Sequence, residues 1–342
     1  MAEQLLSVED LQVHFTTEDG VVRAVDGVSF AVEPGKVLGI VGESGSGKSV
    51  TAMTLMGLTR DVNSRFGGKV IYKGRDLLEV SDAEMQDYRG NELGMIFQDP
   101  MTSLNPVYRI GEQIAEAIRA HQKLDRRAAR TRSIELLRQV GIPNPDSRVD
   151  DFPHQFSGGM RQRAMIAMAL SCNPSILIAD EPTTALDVTI QAQIVELIGR
   201  LKDDFGSAVI FITHDLGVIA EIADEIIVMY AGRVVERGTK RDIFYDPQMP
   251  YTWGLLGSIP RLDRPRPERL HTIEGMPPSL INLPEGCKFR PRCPHAFDKC
   301  FQEPGLENRV EAPSHFDRCW LDLQYKRDHR DATIAGGSSE AA

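Results

Sequence analysis

Gly42-Glu43-Ser44-Gly45-Ser46-Gly47-Lys48-Ser49 follows directly on a compact apolar run, Val37-Leu38-Gly39-Ile40-Val41, and precedes a stretch from Thr51 to Leu58 that reads as helix. A buried strand, a glycine loop and a helix in that order are the setting a phosphate-binding loop requires. The backbone N–H groups of such a loop point inward, and the helix that follows adds its positive end. Gly45 and Gly47 would permit close approach of a nucleotide's phosphates, Lys48 would reach the β- and γ-phosphates, and Ser49 would offer a hydroxyl to Mg²⁺. Gly42, Ser44, Ser46 and Val50 complete the expected contacts with ATP.

Working outward, a second apolar run, Ile176-Leu177-Ile178-Ala179, ends in Asp180-Glu181. Ligands of open α/β sheets collect at that end of the strands. Side chains alternate sides along extended chain, so two adjacent acids there take different tasks. Asp180 is expected to hold Mg²⁺ through water, and Glu181 to orient and deprotonate the attacking water.

Strands and helices alternate around these motifs. Leu11, Val13 and Phe15 alternate in an N-terminal region of short strands that runs to about Lys36, with a turn at Glu18-Asp19-Gly20. From about Arg89 to Ala169 the period changes: Ile110, Ile114 and Ile118 recur every fourth residue, and Ile134, Leu137 and Val140 every third. Both patterns mark helices with one buried face. Ile190, Ile194, Leu197 and Leu201 mark a further helix, and Val209–Ile212 and Ile226–Met229 further buried strands. The fold expected is α/β, a parallel-sheet core with an antiparallel N-terminal subdomain and an inserted helical subdomain at about 89–170. Near Pro260 the composition shifts; Pro260, Pro265, Pro267, Pro277, Pro278 and Pro284 stiffen a segment of little periodicity. The division expected is 1–260 for the ATPase domain, 261–327 for a cysteine-rich extension and 328–342 for a disordered tail.

Bulk properties exclude several classes. The chain has 342 residues, 42% hydrophobic and 26% charged, as in a soluble globular protein. A net charge of −10 argues against a nonspecific nucleic-acid binder, so no nucleic-acid partner is expected. No run approaches the roughly 18 apolar residues that span a bilayer. Met1-Ala2-Glu3-Gln4 lacks the pattern of a secretory signal, which points to the cytosol, with any membrane role exerted through a partner.

Phe156-Ser157-Gly158-Gly159-Met160, placed about one helix before the acidic pair, narrows the class. With it, residues of about 5–250 resemble the ATPase subunits of ABC transporters. The resemblance implies that Ser157, Gly158 and Gly159 act on ATP held by a partner subunit, in a head-to-tail dimer that ATP closes. It implies that Gln98 touches Mg²⁺ or water and senses the permease, that His214 contacts the γ-phosphate, that Asp187 lies in the loop joining the two sites, and that Phe15 stacks on adenine. Catalysis would fall to Glu181, His214, Gln98 and Lys48, and Mg²⁺ to Ser49, Gln98 and Asp180. Phe156 and Met160 depart from the family's usual Leu and Gln; Phe156 keeps an apolar anchor, but Met160 removes a polar contact, so the site this chain completes for its partner is expected to be the weaker of two.

Cys287, Cys293, Cys300 and Cys319 follow C-x5-C-x6-C-x18-C. A cytosolic chain rarely keeps structural disulfides, so the cluster suggests a metal, Zn²⁺ or an iron–sulfur centre, with free thiols the alternative. Cys172 stands apart as a small core residue. Gly286-Cys287-Lys288-Phe289-Arg290-Pro291-Arg292-Cys293-Pro294, Pro250-Tyr251-Thr252, Gly275-Met276-Pro277-Pro278, Gln98 through Pro106 and Thr183 through Gln193 are similar to dipeptide and oligopeptide importer ATPases of the D type. That resemblance extends to about residue 325. It implies a [4Fe-4S] cluster on the four cysteines and a homologous F-type ATPase as partner. It also implies two membrane permeases, an extracytoplasmic peptide-binding protein and a place on the cytoplasmic face of the membrane. Nickel, glutathione and some oligosaccharide importers use similar ATPases, so the cargo stays open at this point. A soluble ABC protein of DNA repair or translation would be expected to carry tandem cassettes or long coiled coils, and this chain has neither.

Overall fold

The computed structural model describes residues 4–184, 186–259, 272–310 and 312–334. Pro260, Pro265, Pro267, Ala185 and the expected 260/261 boundary lie outside the described residues.

Two sheets and a layer of helices build the molecule. Strands β1 (Leu6–Thr17), β2 (Gly20–Val32), β4 (Ser64–Tyr72) and β5 (Arg75–Asp76) form an antiparallel sheet in the order β2-β1-β4-β5, where β3 (Val37–Val41) intervenes in sequence. The N-terminal strands are longer than expected. The main sheet joins β3 to β6 (Leu93–Ile96), β7 (Ile176–Asp180), β8 (Ala208–Thr213), β9 (Glu225–Tyr230), β10 (Arg233–Thr239) and β11 (Phe316–Asp317), in the order β11-β10-β9-β3-β8-β7-β6. From β9 to β6 every pairing is parallel; β10 and β11 add antiparallel strands at one edge.

The apolar runs of the core strands lack alternation because both sheet faces are covered. Val37, Val41, Leu177, Ala179, Val209 and Phe211 point to one core; Leu38, Ile40, Ile176, Ile178, Ile210 and Ile212 point to the other. The first core is closed by helices, among them Ile110–His121, Arg126–Gln139, Gly158–Ala169 and Val188–Phe205. The second is closed by the antiparallel sheet and by Ala52 and Leu55 of the helix Lys48–Leu55. The inserted helices lie between β6 and β7, as the change of period predicts.

The chain beyond the cassette is built into the same molecule. Phe316 and Asp317 pair with Arg237 and Glu236, so the extension donates a strand to the main sheet. Residues 328–334, expected to belong to a disordered tail, are instead the end of the helix Leu323–Ile334. Lys326, fully buried, bonds Asp317 at 2.8 Å, Arg330 pairs with Asp246, and Tyr325 stacks on His329 with ring centroids 3.8 Å apart. Residues 335–342 lie outside the described residues. No helix among the described residues is long and apolar enough to cross a membrane.

Candidate nucleotide site

Four parallel strands deliver the site to one sheet edge. β3 runs into the glycine loop, β7 ends at Asp180, and β8 ends one residue before His214; Gln98 follows two residues after β6. Phe97 lies just beyond that strand.

Two glycines of the loop are demanded by neighbouring backbone. Gly42 has φ +152°, and a Cβ there would meet the Met229 carbonyl oxygen at 2.2 Å. Gly47 has φ +101°, and its Cβ would meet the Ala24 carbonyl oxygen at 2.4 Å. No L-residue side chain fits either place. Gly47 caps the helix Lys48–Leu55 without a side-chain hydrogen bond, which leaves the first-turn N–H groups for a ligand. The Ser46 hydroxyl is buried and has no hydrogen-bond partner among the described residues. An orphaned hydroxyl, free helix-start donors and a glycine cradle together fit a bound polyphosphate.

Lys48 is buried, and its ammonium donates to the carbonyls of Gly42 at 2.7 Å and Glu43 at 3.0 Å. Burial lowers its pKa, and Glu181, Asp180 and Glu43 oppose that shift. The Ser49 hydroxyl donates to Asp180 Oδ1 at 3.0 Å. Burial raises the Asp180 pKa, and the Ser49 hydrogen bond partly offsets it. A divalent cation beside that carboxylate would hold it ionised, so the donor set Ser49 and Asp180 fits Mg²⁺.

Glu181 sits one residue on, with φ +47° and its side chain 12% exposed. Its Oε2 accepts from Gln98 Nε2 at 3.1 Å and from the Thr184 hydroxyl at 2.9 Å, and Oε1 lies 3.3 Å from His214 Nδ1. The structure thus gathers the loop, Asp180, Glu181, Gln98 and His214 at one edge. The arrangement offers a carboxylate base beside a polyphosphate cradle. Thr184, quoted within a resembling segment without a role, is the partner that sequence reasoning missed.

The remaining residues stand elsewhere. Ser157 caps the helix Gly158–Ala169 by accepting from Met160 N at 3.3 Å; among the described residues no hydrogen bond joins Ser157, Gly158 or Gly159 to the glycine loop. Asp187 caps Val188–Phe205 by accepting from Ile190 N at 3.0 Å. Phe15, on β1, is half-buried against the second core.

Cys287, Cys293, Cys300 and Cys319 do line one enclosed pocket, with Phe289 and Leu321 among its walls, around a cavity of about 10 Å³. That is room for about one water molecule. Burial raises the Cys287 and Cys293 thiols and pushes Cys319 up to about 12, so these three stay protonated near neutrality. Among the described residues no three His, Cys, Asp or Glu side chains are arranged to hold a metal ion. The zinc and iron–sulfur expectations therefore find no fit in this geometry, in which tight packing has brought neutral thiols together. Cys172 is buried in the first core's neighbourhood, as expected of a packing residue.

With the geometry in place, comparison with known proteins is direct. Residues 25–184 match the family described as ABC transporter, and residues 235–300 the oligopeptide/dipeptide transporter C-terminal region. The dipeptide transport ATP-binding protein DppD of Bacillus subtilis is 51% identical over 340 residues, covering 99% of this chain and 100% of its own. The oligopeptide transport ATP-binding protein OppD of Salmonella typhimurium is 53% identical over 323 residues, 94% and 95% of the two chains. Among solved structures, the dimeric ATP-binding cassette MJ0796 bound to ADP and Pi superposes with a TM-score of 0.62 at 26% identity, covering 69% of this chain and 99% of its own.

Proposed function

The chain belongs to the family of ATP-binding subunits of dipeptide and oligopeptide ABC transporters, and from that premise we propose that it hydrolyses ATP to drive uptake of such peptides. The single observation that carries the reading is the joining of Ser49 to Asp180, 131 residues apart in sequence, beside a Glu181 held by three side chains.

Each residue then has a task. The N–H groups that follow Gly45 and Gly47, with Ser44, Ser46 and Val50 around them, receive the phosphates, and Lys48 exchanges its carbonyl partners for phosphate oxygens. Ser49, Asp180 and Gln98 hold Mg²⁺, which when bound neutralises phosphate charge. Glu181 takes the proton of the attacking water, while Thr184 and Gln98 fix the carboxylate and His214 turns from it toward the γ-phosphate. Phe15 stacks on adenine. Ser157, Gly158 and Gly159 serve the ATP of a homologous partner, the F-type ATPase subunit, and Asp187 links the two sites.

Two permeases and an extracytoplasmic peptide-binding protein complete the importer, which places this chain on the cytoplasmic face of the membrane. The helix Pro100–Ser103 and its flank expose Met101, Val107 and Tyr108, an apolar surface suited to a short permease helix. Residues 261–327 form the extension of the ATPase domain. Cys287, Cys293, Cys300 and Cys319 share one pocket as a packed joint of the extension, and no step of hydrolysis passes through them.

The test is Glu181→Gln in the reconstituted importer. Hydrolysis and dipeptide uptake are expected to fall by a factor on the order of 10² to 10⁴, with MgATP still bound. Uptake near the wild-type rate would remove Glu181 as the base.

A further inference from the structure

Glu43 is an anionic residue inside a loop that must receive a triphosphate, and its surroundings explain how that is tolerated. Its N–H donates to the Tyr251 hydroxyl at 2.8 Å. Its carbonyl accepts from Lys48 Nζ at 3.0 Å and from Ser46 N at 3.2 Å. Its carboxylate receives a two-pronged guanidinium: Arg292 Nη1 reaches Oε2 at 2.6 Å and Nη2 reaches Oε1 at 3.0 Å. Arg292 comes from the extension, 249 residues away, and its side chain is only 5% exposed. Further donation to the carbonyls of Glu274 at 2.9 Å and Ile273 at 3.3 Å, and contact with the Tyr230 hydroxyl at 3.4 Å, leave it little freedom. Arg292 itself ends a short 3₁₀ turn, Arg290–Arg292, braced on one side by Cys287 and followed by Cys293. Tyr230, Tyr251 and Phe289 pack together beneath it, Phe289 edge to face with Tyr230 and Tyr251 tilted to both.

We propose that Arg292 is a positioning residue of the nucleotide site: it anchors and neutralises the Glu43 carboxylate, so that the loop offers Lys48 and its N–H groups to ATP without an unpaired anion among them. The proposal rests on the ATP-site reading above and deepens it, because it makes the cysteine-bearing extension a structural member of the phosphate loop. A fork-to-carboxylate pair of this kind fixes orientation as well as charge. Removing Arg292 frees a carboxylate in a site whose ligand is itself multiply anionic.

The experiment measures the Kd of a fluorescent ATP analogue with Mg²⁺ on the full-length chain, with thermal melting alongside. Arg292→Ala is expected to raise Kd about tenfold, equivalent to about 1.4 kcal/mol. The Arg292→Ala/Glu43→Gln double variant is expected to recover most of that loss, since no anion is then left to neutralise. Arg292→Lys, which keeps the charge and loses the fork, is expected to fall between wild type and alanine. An unchanged Kd in Arg292→Ala overturns the proposal, and so does a double variant as weak as the single one, which would mark a purely architectural role. If the alanine variant does not fold, Arg292→Gln with and without Glu43→Gln makes the same comparison. Failure of the wild-type chain to bind the analogue overturns the ATP-site reading itself, and this proposal with it.

Discussion

At Glu181 the backbone holds a left-handed φ of +47°, a conformation that a residue with a Cβ adopts at a cost. The strain is contained locally. The Glu181 N–H donates to the Ile212 carbonyl of β8 at 2.9 Å, and the Thr184 N–H returns to the Glu181 carbonyl at 3.1 Å, so the turn is tied to the neighbouring strand. The same turn swings the carboxylate away from Asp180 and toward Gln98 and His214. Adjacent acids are thereby given separate surroundings, Asp180 beside Ser49 and Glu181 beside three other side chains. Because glycine pays no steric cost at positive φ, Glu181→Gly is expected to be more stable than Glu181→Ala by about 1 kcal/mol, although both abolish hydrolysis. Thermal melts of the two inactive variants check this, and a less stable glycine variant would show that the turn stores no strain.

The elements of the extension are joined to the cassette by buried charges as well as by apolar packing of Phe289, Cys319 and Leu321 on the first core. His315, fully buried, places Nε2 2.9 Å from Glu236 on β10, whose carboxylate also accepts from the N–H groups of Gln248 and Met249. Burial alone would depress the His315 pKa, but the Glu236 carboxylate prevails and raises it, with Asp242 and Asp246 adding to the effect. A histidine whose folded pKa is raised stabilises the fold fully below its unfolded value of about 6.5, and that stabilisation is lost as pH climbs through the folded value. The melting temperature is therefore expected to fall across that window above pH 6.5, and to fall less in His315→Gln; equal slopes would rule the pair out as the cause. Such joints also explain what the sequence could and could not disclose. Ile176–Asp180 and Val37–Val41 were legible because a strand covered on both faces is apolar throughout, and the glycine loop because its chemistry is local. Leu323–Ile334 was not, since its attachment is Lys326 to Asp317, Arg330 to Asp246 and the His295 ring set edge-on to Tyr325 and His329, none of which makes a periodic pattern. Tyr251 and Arg292 lay within segments already notable for their resemblance, yet their partner Glu43 is more than 200 residues away and no local signal connects them.

At the scale of the whole molecule, the function proposed above has the glycine loop and the Ser157 helix serve different nucleotides, which makes the chain half of two sites. Its own half is complete: Lys48, Ser49, Asp180 and Glu181 converge, and Arg292 and Tyr251 brace the loop from the extension. The half it lends to a partner is altered at Met160. That side chain packs against the first core, and the Cβ that Gly159 lacks would lie 3.1 Å from Ile190. The N–H groups at the helix start remain available to a phosphate, but Met160 offers a thioether where the family's usual Gln would offer an amide donor. On that proposal, the partner's nucleotide is expected to be held by fewer polar contacts than the one this chain binds. In the assembled importer, Glu181→Gln in this chain is expected to reduce uptake more than the equivalent substitution in the partner ATPase, because it disables the stronger site. Met160→Gln is expected to narrow that difference by strengthening the partner's site. Transport rates of the two single variants, measured with and without Met160→Gln, decide the matter; equal losses in the absence of Met160→Gln would establish that the two sites are equivalent.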